Sequence, residues 1–117
     1  MMNRLEKTAA RDTRTLLESA RALRSHLRTV EAVYRRTLKS VENGNGASLT
    51  LNAEEAGRAR QELTEALRDF EQCRHNARLS LIAAELDEGR SIGEIGRTWG
   101  FSRQLAAKYA KEARGEH

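Results

Sequence analysis

From Leu5 to Val41 apolar residues recur three or four positions apart: Leu5, Ala9, Leu16, Ala20, Leu23, Leu27, Val30, Tyr34, Leu38 and Val41. Polar and charged residues fill the positions between them. Side chains three or four residues apart share one face of a helix, so the spacing predicts a long helix with a narrow, heptad-like seam. Thr13 interrupts the seam early, and the first two turns are expected to fray. The stretch "ENGNG" at 42–46 ends the helix, because Asn-Gly pairs favour left-handed backbone. "ASLTLN" then reads as a short extended stretch whose Leu49 and Leu51 fold back onto the tip. Asn52 is a good N-cap with Glu55 as its capping-box partner. A second seam follows through Ala56, Leu63, Leu67, Phe70, Ala77 and Leu81.

Two long helices joined by a short loop predict an antiparallel helical hairpin, coiled-coil-like in its packing. Beyond it the spacing shortens. Leu79, Ile82, Ala83 and Leu86 line one helix face and Gly89 stops that helix. Ser91 caps a short helix running to Trp99, with Glu94 at the capping-box position. Gly100 breaks it, and Ser102 caps a last helix to about Ala113. The expected fold class is therefore all-α, with a hairpin domain at 1–75 and a smaller helical domain at 76–117.

Composition agrees with long helices. The 117 residues include no proline, 4% aromatics and 32% charged side chains, which suits helices better than a bulky core. Charge is unevenly spread along the chain. Residues 1–43 carry ten basic and five acidic side chains, residues 44–89 five and nine, and residues 90–117 six and three. The basic first arm can face the acidic second, each exposed pair adding about 0.2–1 kcal/mol. That leaves the basic C-terminal part free for an anionic partner. A hairpin with two single seams buries little apolar surface, so a homodimer is expected. The seam residues Leu23, Leu27, Val30, Leu63, Leu67 and Phe70 are the expected centre of that packing.

In the stretch "SIGEIGRTWGFSRQLAAKY" each position has a distinct task. A small residue at Gly96 lets the next helix approach closely, and Gly100 supplies the turn. Ile95, Trp99, Phe101, Ala106 and Tyr109 form a small core holding two helices at a steep angle. On these residues, 79–114 resemble the helix-turn-helix DNA-binding unit of bacterial regulators, similar to those ending resolvase and invertase recombinases or to sigma-like factors. The resemblance covers about a third of the chain, and no family likeness attaches to the hairpin. It implies that the helix from Ser102 is a recognition helix in the major groove of double-stranded DNA. Ser102, Arg103 and Gln104 would then stand at base edges, Arg103 suited to guanine and Gln104 to adenine. Lys108 and Lys111 follow on the same side. Arg97 and the helix start at Ser91 would hold phosphates.

Other chemistry is not expected. Cys73 and His75 lie two apart, which puts them on different helix faces, and His26 and His117 have no ligand spacing, so no metal is expected. The pairs Glu54–Glu55 and Asp87–Glu88 fall at helix ends, where capping accounts for them. "GEIG" follows no strand and precedes no Gly-Lys-Ser/Thr, so it is not a phosphate loop. No enzyme activity, cofactor or small-molecule ligand is expected. A single cysteine and the lack of any apolar run long enough for a membrane span predict a cytoplasmic protein, and the resemblance implies that it is nucleoid-associated. The functional expectation is a sequence-specific, homodimeric transcriptional regulator. Two alternatives are an architectural, partition or phage-type DNA-binding factor, and an adaptor whose hairpin binds another helical protein.

Overall fold

The computed structural model describes residues 1–49 and 51–115. Thr50, within the stretch expected to be extended, and His117 lie outside the described residues. The regular secondary structure among the described residues is entirely helical. It comprises α1 (Arg4–Glu42), α2 (Ala53–Asp87), α3 (Ile92–Trp99) and α4 (Arg103–Ala113). No described helix is long and apolar enough to cross a membrane.

The helix ends explain themselves locally. The Asn3 side-chain oxygen accepts from the Glu6 N–H at 2.8 Å, and the Glu6 carboxylate accepts from the Asn3 N–H at 3.3 Å. This reciprocal cap satisfies two of the donors that a helix start leaves unpaired. The fraying expected around Thr13 is thereby corrected: α1 is continuous from Arg4, and Ala9 in its second turn is buried. At the other end the Asn45 N–H returns to the Ser40 carbonyl at 2.8 Å. Asn52 caps α2 as expected, accepting from the Glu55 N–H at 2.8 Å. The Glu55 carboxylate, however, reaches the Asn52 side-chain amide, at 2.6 Å.

Contacts divide the chain into two compact units, Leu17–Glu71 and Met1–Leu16 with Gln72–His117. The first sixteen residues thus group with the C-terminal region. Two side-chain bonds account for this: Asn3 Nδ2 donates to Asp87 Oδ2 at 3.4 Å, and the Ser80 hydroxyl donates to Asp12. Within this unit the start of α1 runs antiparallel to the end of α2. Its core is built from Ala9, Cys73, Ala77, Ile82, Ala84, Ile95, Ala106 and Ala110. Ile82 and Ile95, both 0% exposed, are its largest fully buried side chains.

In the unit Leu17–Glu71 the inward line of α1 is Ser19, Leu23, His26, Val30, Val33, Thr37 and Ser40, in alternating steps of four and three. The facing line of α2 is Ala56, Ala59, Leu63, Ala66 and Phe70. This corrects the sequence seam. Leu27, Tyr34, Leu38 and Val41 of α1 and Leu67 of α2 are exposed, whereas Val33 is buried. The apolar residues mark two adjoining rows, and only the row with regular heptad steps meets the other helix, taking polar Ser19, His26 and Thr37 with it. Leu49 and Leu51 line a cleft with Tyr34, Ala53 and Gly57, which is the folding-back expected of the loop.

Candidate nucleic-acid interface

α3 begins at a complete capping box. Ser91 Oγ accepts from the Glu94 N–H, and the Glu94 carboxylate accepts from the Ser91 N–H, both at 3.1 Å. The hydrogen bond from the Ser91 backbone holds the Glu94 carboxyl below its ordinary range. The Ser91 hydroxyl and the charges of Arg90 and Arg97 add to this. α3 ends at Gly100, in the left-handed region with φ 73° and ψ 27°, whose N–H donates to the Gly96 carbonyl. The Phe101 N–H donates to the same carbonyl at 2.8 Å. Ser102 then caps α4, its Oγ accepting from the Leu105 N–H at 3.1 Å. Three residues therefore turn the chain from one helix into the next.

Gly96 is where α3 and α4 meet. A Cβ on it would stand 3.3 Å from Ala106 Cβ and 3.3 Å from the Phe101 carbonyl oxygen. Behind the crossing lie three rings, Trp99 against Phe101 with centroids 5.8 Å apart and Phe101 against Tyr109 at 5.1 Å. α2 holds this pair of helices by charged groups as well as by packing. Arg78 lies 4.9 Å from the Tyr109 centroid and 5.5 Å from that of Phe101. Its Nη1 donates to the Tyr109 hydroxyl at 3.0 Å. Trp99 Nε1 donates to Glu85 Oε1 at 2.9 Å, and His75 Nε2 stands 3.6 Å from Glu112 Oε2. A stacked guanidinium and a satisfied indole N–H are what half-buried aromatic rings with polar tips require.

With the inner side so occupied, the outer side of α4 is set. Leu105, Ala106, Tyr109 and Ala110 face inward. Arg103, Gln104, Ala107, Lys108, Lys111 and Arg114 are exposed. The one acidic residue of α4, Glu112, is turned toward His75. Ser91, Arg97 and Arg103 line one cleft of about 500 Å³, floored by Ile92, Gly93, Gly96 and Phe101. The structure thus brings together Ser91, Arg97 and Arg103, with Ser102 at the adjoining helix start. Gln104, Lys108 and Lys111 stand further along the exposed row, outside that cleft. Both serine hydroxyls are engaged as caps.

Sequence reasoning missed several members of this surface. Ala107 and Arg114 complete the outer row, and their signal was the helical step from Arg103 to Ala107 to Lys111 to Arg114. Arg78 and Glu85, the partners of Tyr109 and Trp99, were also missed. Their signal was a spacing of seven on α2, which puts both on one face. Cys73 is buried, and His75, two residues on, faces α4 instead. Comparison with known protein families, with curated proteins and with solved structures finds no match to this chain.

Proposed function

We propose that the chain is a sequence-specific binder of double-stranded DNA and acts as a transcriptional regulator, with α3 and α4 working as a helix-turn-helix that follows a helical hairpin in the sequence. The observation that carries the reading is the exposed row on α4. It presents three kinds of group that DNA accepts: cations, an amide and a methyl. An acidic side chain or a large apolar one there would favour a protein partner instead. A helix about 10–12 Å across fits the major groove, which is about 12 Å wide.

In this reading Arg103 and Gln104, at the first turn of α4, meet base edges. Arg103 matches the O6 and N7 acceptors of guanine, Gln104 matches adenine N6 and N7, and Ala107 suits a thymine methyl. The cleft beside the start of α3 receives a backbone phosphate, held by Arg97 and the helix start at Ser91. Lys108, Lys111 and Arg114 continue the cationic track. Phosphate contacts set position and base contacts set sequence, so the two groups of residues have distinguishable signatures.

Selection of bound sequences from a random duplex pool, followed by titration, separates them. Arg103→Ala is expected to lose preference at one base pair and about 1–3 kcal/mol of affinity for the selected site. Lys111→Ala should weaken selected and random duplexes alike. An Arg103→Ala chain that binds both duplexes as the wild type does would refute the assignment of α4 as the reading helix.

A further inference from the structure

The unit Leu17–Glu71 has two unlike sides. On one, Tyr34 shares a cleft with Leu49, Gly57 and Arg60. On the other, Arg36 shares a cleft with Glu55, Arg58 and Glu62. Residues seven apart on a helix lie in one row, so Leu27 and Val41 stand with Tyr34, and Leu67 stands with Arg60. The row Leu17, Arg24, Glu31 and Leu38 runs beside the Tyr34 row. One side therefore gathers the exposed large apolar residues Leu17, Leu27, Tyr34, Leu38, Val41 and Leu67. Of these, Leu17, Tyr34 and Leu38 are 62%, 60% and 57% exposed. The other side is charged.

We infer that this apolar side is covered by a second copy of the chain, which makes a four-helix bundle from two such units. Size is the first reason. The stripe from Leu17 to Val41 is about 36 Å long, and two helices side by side are about 20 Å wide. The face thus covers on the order of 700 Å², near the roughly 800 Å² per partner of a stable interface.

Charge is the second reason, and it favours a second copy. Residues 17–43 carry six basic and three acidic side chains, and residues 44–71 carry three and six. A two-fold axis along the unit lays the basic α1 segment over the acidic α2 segment of the copy, and the acidic over the basic. The charges within the face are balanced as well, with Arg24 and Glu31 on α1 and Arg60 and Glu71 on α2. Each helix brings one charge of either sign to the face, so a strongly acidic or basic partner would be attracted by one and repelled by the other. A second copy brings the same balanced set, as a symmetric contact requires.

The inference stands apart from DNA binding and is tested without DNA. Sedimentation equilibrium of the full chain at tens of micromolar should give twice the chain mass. Leu27→Glu with Tyr34→Glu should return it to the single-chain mass, with the helical signal in circular dichroism kept. Ala22→Glu with Ser25→Glu adds the same charge to the opposite side and should leave the doubled mass unchanged. If the first pair loses its helical signal, Leu38→Glu, at a more exposed position than Leu27, carries the same comparison. A wild-type chain with the single-chain mass would overturn the inference and leave the face to another partner. So would a doubled mass that survives the substitutions on the apolar side.

Discussion

Ile95→Ala should cost the C-terminal unit about 2–5 kcal/mol, because the side chain is wholly buried and its removal leaves a cavity. Ile95 is 0% exposed in the middle of α3, and the helix it belongs to has only eight residues. So short a helix is not stable alone, and what holds α3 is its packed face. Trp99, the sole tryptophan, lies at the end of the same helix and reports on this unit by its fluorescence. In urea, with a slope of about 1–3 kcal/mol per molar, the fluorescence midpoint should fall by at least about 0.7 M. Lys108→Ala is the comparison, since that side chain is exposed in the same unit and should cost far less. Equal shifts for the two variants would mean that the core is elsewhere.

The second large effect belongs to Gly100. Gly100→Val should abolish DNA binding while α1 and α2 remain helical. Nothing lies within 4 Å of a Cβ built on Gly100, so the obstacle is not collision. It is the backbone: at φ 73° a β-branched residue is strongly disfavoured, at about 1–3 kcal/mol or more. The chain relieves that strain by moving α4 relative to α3, which misplaces Arg103 and the cleft together. Gly100→Asn separates conformation from size, because asparagine tolerates left-handed backbone and should keep most of the affinity. Gly96 presents the opposite case, where the backbone is ordinary and the neighbours are in the way. Valine at position 100 with undiminished DNA affinity would place the turn elsewhere.

Much of the fold was legible because its punctuation is local. Asn52, Ser91, Glu94, Gly100 and Ser102 each act on backbone groups within four residues, so the sequence alone locates the ends of α2, α3 and α4. Asn3 and Glu6 form the same signature at the start of α1, but the weak apolar pattern around Thr13 drew attention away from them. The side of α1 that meets α2 was misread for a different reason. Apolar residues occupy two adjoining rows, and composition cannot say which row a partner helix takes. Polar Ser19, His26 and Thr37 are inward because heptad geometry carries them there. Leu27 and Tyr34 are outward although they look like core. The grouping of the first sixteen residues with the C-terminal region depends on Asn3 meeting Asp87 and Asp12 meeting Ser80, contacts between residues distant in sequence that no local pattern announces.

The candidate surface on α4 was legible where it follows from caps. Once Ser102 starts the helix, Arg103 and Gln104 are its first turn, and the inward Ala106 and Tyr109 leave Lys108 and Lys111 outward. The support behind it was not legible. Arg78 over two rings and Glu85 on the indole of Trp99 are pairings between separate helices, chosen by the angle at which the helices meet.

The central claim is that the exposed row of α4 and the cleft beside it bind duplex DNA. Titration of the intact protein with its selected duplex and with a random one, across a range of salt, tests it most directly. The account predicts that log affinity falls linearly with log salt, with a slope of about −0.9 for each phosphate engaged. It also predicts that the selected duplex binds at least about 10³-fold more tightly at physiological salt. Binding that ignores salt, or a random duplex held as firmly as the selected one, would contradict it.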